Sequence, residues 1–275
     1  MFIDIIAGAR PNFMKIAPIV RNAASRKIKA NFRIFHTGQH YDENMNGVFF
    51  RQLNIPEPDV FLEGTSGSHA RQTHSIMVGF EDYCLRNSPD MTIVVGDVNS
   101  TLACALVSKK LKIDVAHVEA GLRSGDKVMP EEINRIATDA ISDLFFASEP
   151  SAIDNLQKEG HPKELIHHVG NVMIDSLFYH LDEIASRPRA NSPIEALKRS
   201  LKDYCVVTLH RPSNVDVSWL HHSEKLLHIY DTGEILTYTE TRMQWDEKQL
   251  TSLQALQYPG GSKGGRWSSL WRYRG

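Results

Sequence analysis

The segment HVEAGLRSGDKVMPEEINR, from His117 to Arg135, concentrates acidic and basic side chains directly after an apolar run. Glu119 stands at the end of that run, and Glu131 and Glu132 follow in the same segment. Several carboxylates in one site allow one to stay protonated while another stays ionised, which supplies an acid and a base together. The pattern therefore predicts a site that transfers protons next to a charged substrate.

The two adjacent glutamates have different predicted roles. The proline before them is expected to begin a helix, and carboxylates in a first helical turn are stabilised by the helix dipole. Glu132 and Arg135 stand three apart on one face of that helix and are expected to pair. Glu131 then remains, with Glu119 and Asp97, as a carboxylate that can face a shared pocket.

Asp97 lies in the segment GDVNSTLA, directly after the apolar run MTIVV. Two interpretations stay open for its side chain. It can act as a general base at the end of a buried strand, or it can cap the helix that follows. We prefer the first of these interpretations.

The segment GARPNFMK, from Gly8 to Lys15, is the predicted turn between the first strand and the first helix. Gly8 permits close approach of the backbone, and the helix N-terminus offers unpaired N–H groups to an anion. Arg10 and Lys15 add positive charge, so the turn suits a phosphate or diphosphate, with an ordinary surface turn as the alternative. The segment matches neither GxGxxG nor a Walker A sequence, and no nicotinamide or ATP site is predicted.

His210 lies in LHRPSN, at the end of another predicted strand, DYCVVT. A histidine there can hold a diphosphate or transfer a proton, and a purely structural histidine is the alternative. The paired histidines His167–His168 and His221–His222 lack metal-ligand spacing with any partner, and no metal site is predicted.

Short apolar runs alternate with segments of helical periodicity through most of the chain. The runs are FIDIIAG, NFRIFHTG, MTIVVGD, IDVAHVEAG, DLFFAS and LIHHVGN. This alternation predicts an α/β fold with a parallel sheet covered by helices on both faces. Ligands bind beyond the carboxyl ends of such strands. The polar residues that follow four of these strands are expected to converge there: Arg10, Gln39 with His40, Asp97 and Glu119.

The composition excludes several classes of protein. Net charge is −2 and the isoelectric point is about 6.7, so no basic field favours nucleic acid. No apolar segment approaches the roughly 20 residues that span a bilayer, and the N-terminus lacks a basic leader region. Cys84, Cys104 and Cys205 are unpatterned and are expected to be small buried hydrophobes. We therefore expect a soluble cytoplasmic protein without nucleic-acid or membrane partners.

The chain divides by composition into three parts. Residues 1–185 carry the strand–helix alternation, and residues 186–216, beginning with SRPRANSP, are predicted to be a linker and the start of a second domain. Residues 217–275 hold all four tryptophans, none of the eleven phenylalanines and no strand–helix alternation. We interpret this tail as foreign to the fold, with an unusual interaction tail as the alternative.

Taken together, these segments resemble the non-hydrolysing UDP-N-acetylglucosamine 2-epimerases over about residues 1–216. The resemblance is carried by GARPNFMK, TGQHYD, GDVNSTLA, HVEAGLRSGD with MPEEINR, GNVMID and LHRPSN. It implies two Rossmann-like domains in a glycosyltransferase-B arrangement, with the active site in the cleft between them. It also implies a homodimer and a reaction without a nicotinamide cofactor or a catalytic metal.

The reaction that the resemblance implies interconverts UDP-GlcNAc and UDP-ManNAc. UDP is eliminated across C1 and C2 of the sugar and is added again as a proton returns to the other face of C2. By match to the family motifs, Asp97, Glu119 and Glu131 transfer protons and stabilise the cationic ring, and which of them is acid or base stays open. The motif match assigns binding of the substrate and its diphosphate to Arg10, Lys15 and His210, the last also as a catalytic residue.

The family's second-domain segments that grip the uracil, ribose and diphosphate have no counterpart after Asp216. Binding energy from the remote nucleotide positions such a substrate for reaction. We therefore expect an incomplete second domain and a chain that is weakly active or inactive. The alternatives are a remnant that only binds a nucleotide sugar, another glycosyltransferase-B enzyme, or a hydrolysing epimerase that releases free ManNAc.

Overall fold

The computed structural model describes residues 1–26, 28–38, 50–62 and 67–186 of the chain. Met1–Arg187 form one compact unit. In chain order the described elements are β1 Phe2–Ala7, α1 Arg10–Ser25, β2 Asn31–His36, β3 Val60–Phe61, α2 His69–Asn87, β4 Met91–Val95, α3 Asn99–Lys110, β5 Asp114–Ala120, α4 Pro130–Ile141, β6 Leu144–Ala147, α5 Pro150–Lys158, a 3-10 turn Lys163–Leu165, β7 Ile166–His168 and α6 Val172–Ser186.

The described strands form one parallel sheet in the order β3-β2-β1-β4-β5-β6-β7. β1 lies between β2 and β4, with Ile5 opposite Ile34 on one side and opposite Ile93 on the other. β2 and β3 extend the sheet on one side of β1, and β4 to β7 extend it on the other side. This order confirms the predicted α/β, Rossmann-like fold. It places the switch in strand order, where such sheets bind ligands, between the carboxyl ends of β1 and β4.

Helices cover both faces of the sheet because both faces of its central strands are apolar. On one face, Ile5 packs in a buried cluster with Phe13 and Ile16 of α1. On the other face, Ile6 packs with Phe80 of α2. Successive residues of β1 point to opposite faces and are buried in two separate clusters. This double burial fixes the strand ends that carry the polar residues.

Two described elements have no counterpart in the sequence prediction. β3 consists only of Val60–Phe61, which is too short to show any periodicity. α2 is long, but its apolar face is narrow, and the prediction of helices from apolar periodicity depends on that face. The buried residues of α2 are Ile76, Phe80, Tyr83 and Cys84.

Several smaller predictions can be compared with the structure. α4 begins at Pro130 with two glutamates in its first turn, as predicted. Cys84 and Cys104 are buried free thiols, as predicted, and burial raises the pKa of Cys84 to about 12. No helix within the described ranges is long and apolar enough to cross a membrane. The predictions that lie outside the described residues concern Gln39, His40, Cys205, residues 187–216 and residues 217–275.

Candidate active site

Lys15 and Glu119 form an ion pair at the carboxyl edge of the sheet. Lys15 comes from the second turn of α1, and Glu119 comes from the end of β5. The lysine is buried and the carboxylate is 18% exposed, so the pair lies at the boundary between core and solvent. A carboxylate in this position has a charged partner and still remains accessible to a ligand.

The backbone of Glu119 adopts an unusual conformation. Its φ is +71°, in the left-handed region that non-glycine residues seldom occupy. The pairing of β5 with β6 shifts register between Val118 and Ala120, which makes Glu119 the extra residue of a β-bulge. Such strain costs about 1–3 kcal/mol and concentrates at functional sites, where bulges re-aim a side chain. Here the bulge directs the carboxylate to Lys15.

Gly96, directly after β4, has no side chain, and the ion pair of Lys15 and Glu119 occupies the space beside it. Its φ is +67°, and a Cβ placed there would lie 2.6 Å from Lys15 Nζ and 3.4 Å from the Glu119 carboxylate. Directly after β1, a Cβ at Gly8 would collide with Ser100 Oγ. Close approach at the edge of the sheet therefore requires glycine at both strand ends.

Asp97 is held by Arg135 and does not cap the helix that follows it. Its carboxylate forms an ion pair with the Arg135 guanidinium, and its backbone carbonyl accepts a hydrogen bond from Asn134 Nδ2 at 2.9 Å. α3 begins at Asn99 after the N-cap Val98, and no side chain caps it. The interpretation of Asp97 as a helix cap is therefore wrong, and its carboxylate is available at the edge of the sheet.

Glu132 holds the loop between β5 and α4. Its carboxylate accepts hydrogen bonds of 3.0 Å from the backbone N–H groups of Ser124 and Gly125, and it pairs with Arg135 as predicted. Burial opposes its charge, but those N–H groups and the guanidinium outweigh burial and hold the pKa of Glu132 below its ordinary value. Glu132 is thus a structural carboxylate.

Asn12 joins the first turn of α1 to the end of β4. Its Oδ1 accepts hydrogen bonds from the N–H groups of Gly8 at 3.2 Å and Ala9 at 3.0 Å. Its Nδ2 donates to the Val95 carbonyl oxygen at 3.0 Å. Because the side chain is almost fully buried, it fixes the turn after β1 relative to the neighbouring strand. Nothing in the sequence pattern identifies this role.

His117 and Asp139 form a fully buried pair near the half-buried carboxylates Glu119 and Asp97, with 2.6 Å between Nδ1 and Oδ1. Burial opposes the charge on Asp139, but His117 and Arg123 outweigh burial and lower the pKa of that carboxyl. The sequence signal for this pair is a histidine inside the apolar run of β5. Its partner lies 22 residues later on α4, and only the packing of that helix on the sheet brings the two together.

Replacing Asp139 with asparagine is expected to lower the free energy of unfolding by about 3–5 kcal/mol at neutral pH, because His117 and Arg123 lose their buried anion. Since the pKa of Asp139 is lowered in the folded state, its contribution is fully present above the unfolded pKa of about 3.9. The contribution is lost as pH falls through the lower folded pKa.

Urea unfolding from about pH 7 to about pH 3 measures this dependence. The difference between the wild type and Asp139→Asn should stay constant down to about pH 4 and shrink below it. Asp154→Asn, at an exposed position on α5, is the control and should change little. A difference that also stays constant below about pH 4 would show that the charge of Asp139 does not stabilise the fold.

Gly121, directly after β5, has a φ of +80°, and a Cβ there would collide with the backbone carbonyl of Ala152. Gly125, in the same loop, has a similar φ of +75°, but nothing lies within 4 Å of its Cβ position. Gly121→Ala is therefore expected to destabilise the protein by about 2 kcal/mol more than Gly125→Ala, which adds only backbone strain. Thermal unfolding of the two variants measures this difference, and equal effects would contradict it.

The other predicted site residues have different positions. Glu131 lies in the first turn of α4 and is exposed. Arg10 begins α1, and its side chain lies outside the described parts of the chain, as does the whole of His210. Among the described residues, no group of three or more His, Cys, Asp or Glu side chains is arranged to hold a metal ion. Lys15 and Glu119 thus meet at the end of β5, and Asp97 follows the neighbouring strand β4. The roles of all six predicted residues stay predictions.

Known proteins with similar sequences share one activity class. A sequence profile of the family described as UDP-N-acetylglucosamine 2-epimerase matches residues 22–239. The UDP-N-acetylglucosamine 2-epimerase of Methanocaldococcus jannaschii is 46% identical over 219 residues, which cover 78% of this chain and 58% of that protein. The UDP-2,3-diacetamido-2,3-dideoxy-D-glucuronate 2-epimerase of Pseudomonas aeruginosa is 44% identical over 218 residues, which cover 78% and 59% of the two chains.

The fold has the same relatives. A crystal structure of the M. jannaschii UDP-GlcNAc 2-epimerase in complex with UDP-GlcNAc and UDP matches with a TM-score of 0.71 at 44% identity, over 79% of this chain and 59% of that chain. The chain therefore belongs to the UDP-N-acetylglucosamine 2-epimerase family, as its motifs predict. It spans less than two-thirds of the length of these relatives.

Proposed function

We propose that this chain carries the proton-transfer site of a UDP-N-acetylglucosamine 2-epimerase, which interconverts UDP-GlcNAc and UDP-ManNAc. The observation that carries the proposal is a pair of accessible carboxylates at adjacent strand ends, Glu119 with Lys15 and Asp97 with Arg135. Membership of the family supports the substrate class.

Epimerisation at C2 requires that a proton leave one face of the sugar and that a proton be delivered to the other. A carboxylate takes the C2 proton as the bond from C1 to the UDP oxygen breaks, which leaves a 2-acetamidoglucal and UDP. UDP then adds again at C1 while C2 is protonated from the opposite face. Carboxylates in different environments can supply the base and the acid for these two steps.

Glu119 and Asp97 have the different environments that this chemistry uses. Glu119 is 18% exposed and faces a buried lysine, whereas Asp97 is 27% exposed and faces a guanidinium that is shared with Glu132. Glu131, exposed in the first turn of α4, is the third carboxylate proposed for proton transfer. The three proposed carboxylates belong to the ends of two neighbouring strands and to the first turn of α4.

The leaving UDP is an anion, and it needs cations and free N–H groups near the crevice. α1 begins soon after β1, and the dipole at its N-terminus stabilises negative charge there. Arg10, Lys15 and His210 are proposed to hold the diphosphate, with His210 also a catalytic residue. No nicotinamide or metal takes part in the proposed reaction. We propose that the chain forms a homodimer in the cytoplasm. Light scattering of the purified chain tests the dimer.

The P. aeruginosa relative favours a second candidate substrate, a UDP-linked 2,3-diacetamido sugar acid. Each sugar nucleotide is incubated with the 275-residue chain, and the products are separated by anion-exchange chromatography. We expect conversion of UDP-GlcNAc to UDP-ManNAc, because two carboxylates at adjacent strand ends can supply the base and the acid. Turnover of the sugar acid alone would favour the second candidate. Release of free ManNAc would contradict the proposal and indicate a hydrolysing epimerase.

A further inference from the structure

The imidazole of His117 is fully buried between the two strand ends that carry Asp97 and Glu119. Its Nε2 is 2.8 Å from the backbone carbonyl oxygen of Gly96, the residue before Asp97. Its Nδ1 is 2.6 Å from Asp139 Oδ1. Both nitrogens therefore have partners, in a buried place where an unpaired polar group would be costly.

The partners decide which atoms donate. A carbonyl oxygen can only accept, so Nε2 of His117 donates to Gly96. The second oxygen of Asp139 accepts a hydrogen bond from the Gly121 N–H at 3.0 Å and pairs with Arg123 at 2.7 Å. A carboxylate surrounded by these donors is an acceptor toward Nδ1 as well, so each ring nitrogen faces an acceptor.

The Asp139 carboxylate contacts residues on both sides of the β-bulge at Glu119. The histidine precedes Glu119 by two residues and Gly121 follows it by two, and Asp139 binds both of them. Arg123, the further partner of Asp139, is itself fixed by hydrogen bonds of 2.8 and 2.5 Å to Glu159. The network therefore constrains the backbone on either side of the proposed proton-transfer residue.

Two left-handed residues depend on this constraint. Gly96 has a φ of +67° and Glu119 a φ of +71°, and they follow or end two adjacent strands. Gly96 also donates its N–H to the Val118 carbonyl at 3.0 Å. Strained backbone persists only where the surrounding structure over-determines it. The hydrogen bonds of His117 and Asp139 hold the backbone at Gly96 and Gly121, and these residues neighbour Asp97 and Glu119.

We propose that His117 is a positioning residue of this site, which fixes the separation of Asp97 and Glu119 chiefly through its bond to Gly96, while Asp139 orients the ring. The inference rests on the proposed function, because the separation of the two carboxylates affects a rate only where both take part in the reaction. His117 does not contact the substrate in this proposal; it holds the backbone at Gly96 directly and at Gly121 through Asp139.

Two matched variants separate its two hydrogen bonds. In His117→Asn the side-chain amide nitrogen takes the place of Nδ1, so the contact with Asp139 is kept and the contact with Gly96 is lost. In His117→Gln the amide nitrogen takes the place of Nε2, so the contact with Gly96 is kept and that with Asp139 is lost. Both variants remove the ring, and circular dichroism and thermal unfolding of the full chain give the folded fraction of each.

Turnover of UDP-GlcNAc is then compared per folded molecule. We expect His117→Asn to lower kcat by about 100-fold with KM changed by less than about threefold, because a misplacement of about 1 Å can cost that much rate. His117→Gln should recover kcat to within about tenfold of the wild type. Equal losses in the two variants, or losses that follow the folded fraction alone, would overturn the proposal. If one variant unfolds, the other is still compared with the wild type.

Labelling of glycine with ¹⁵N in the same proteins keeps this inference separable from the proposed function. The Gly96 amide resonance is expected to move in His117→Asn and to stay near its wild-type position in His117→Gln. If the wild type turns over neither sugar nucleotide while Gly96 responds in this way, the proposed function fails and the positioning geometry stands. If the wild type is active and Gly96 moves equally in both variants, the positioning role is wrong.

Discussion

Replacement of Glu119 by glutamine is expected to slow the interconversion of UDP-GlcNAc and UDP-ManNAc by about 10²- to 10⁴-fold, the range that a positioned acid or base supplies. Glutamine keeps the shape of the side chain but does not exchange a proton at neutral pH. The change also leaves the buried Lys15 ammonium without its anionic partner. The loss should fall mainly on kcat, because a proton-transfer group is removed. KM should change less, through Lys15, one of the three residues proposed to hold the diphosphate.

The control for this variant is Asp114→Asn. Asp114 is exposed at the opposite end of β5, so its replacement removes a carboxylate from the same strand without touching the site. Its activity should stay within about twofold of the wild type, the usual effect of a surface substitution. Undiminished turnover by a folded Glu119→Gln chain would exclude Glu119 as a proton-transfer group. Chromatographic separation of the two sugar nucleotides gives both rates.

Asp97→Asn is expected to slow interconversion to a similar extent, about 10²- to 10⁴-fold, but with a different pattern of proton exchange. If Asp97 and Glu119 serve opposite faces of the sugar, each single variant loses proton transfer on one face and retains it on the other. One variant should then exchange the C2 proton of UDP-GlcNAc with solvent without forming UDP-ManNAc. The other variant should exchange only the C2 proton of UDP-ManNAc.

Incubation of each variant with each epimer in D2O, followed by proton NMR, measures these four exchange rates. The complementary pattern assigns one face of the sugar to each carboxylate. Loss of exchange with both epimers in Asp97→Asn, with both retained in Glu119→Gln, would contradict the shared assignment. Glu119 would then be only the charge partner of Lys15.

The fold was largely predictable from the sequence, because the strands of a two-sided parallel sheet are near-continuous apolar runs. The same reasoning placed Asp97 and Glu119 at strand ends, and β4 and β5 are neighbours in the sheet. The two-residue strand β3 and the narrow apolar face of α2 carry too little periodicity to be recognised. These two elements were found only in the structure.

The contacts within the site were much less predictable. The pairing of Lys15 with Glu119 depends on a bulge and on a φ of +71° that a glutamate does not favour by itself. Lys15 was expected to face an anionic ligand, and the structure pairs it with a carboxylate of the protein. The partnership of His117 with Asp139 likewise requires α4 to be packed on β5. By contrast, the ion pair of Glu132 with Arg135, three residues later on α4, follows from helical spacing alone.

The most direct test of the proposed chemistry is a proton NMR time course of UDP-GlcNAc with the purified 275-residue chain in D2O, after circular dichroism has shown that the chain is folded. The chain with both Asp97→Asn and Glu119→Gln gives the background. We predict a slow loss of the C2 proton signal with appearance of UDP-ManNAc in the wild-type sample, and neither change in the double variant. A folded wild-type chain whose C2 signal stays as constant as that of the double variant would contradict the assignment of proton transfer to these carboxylates.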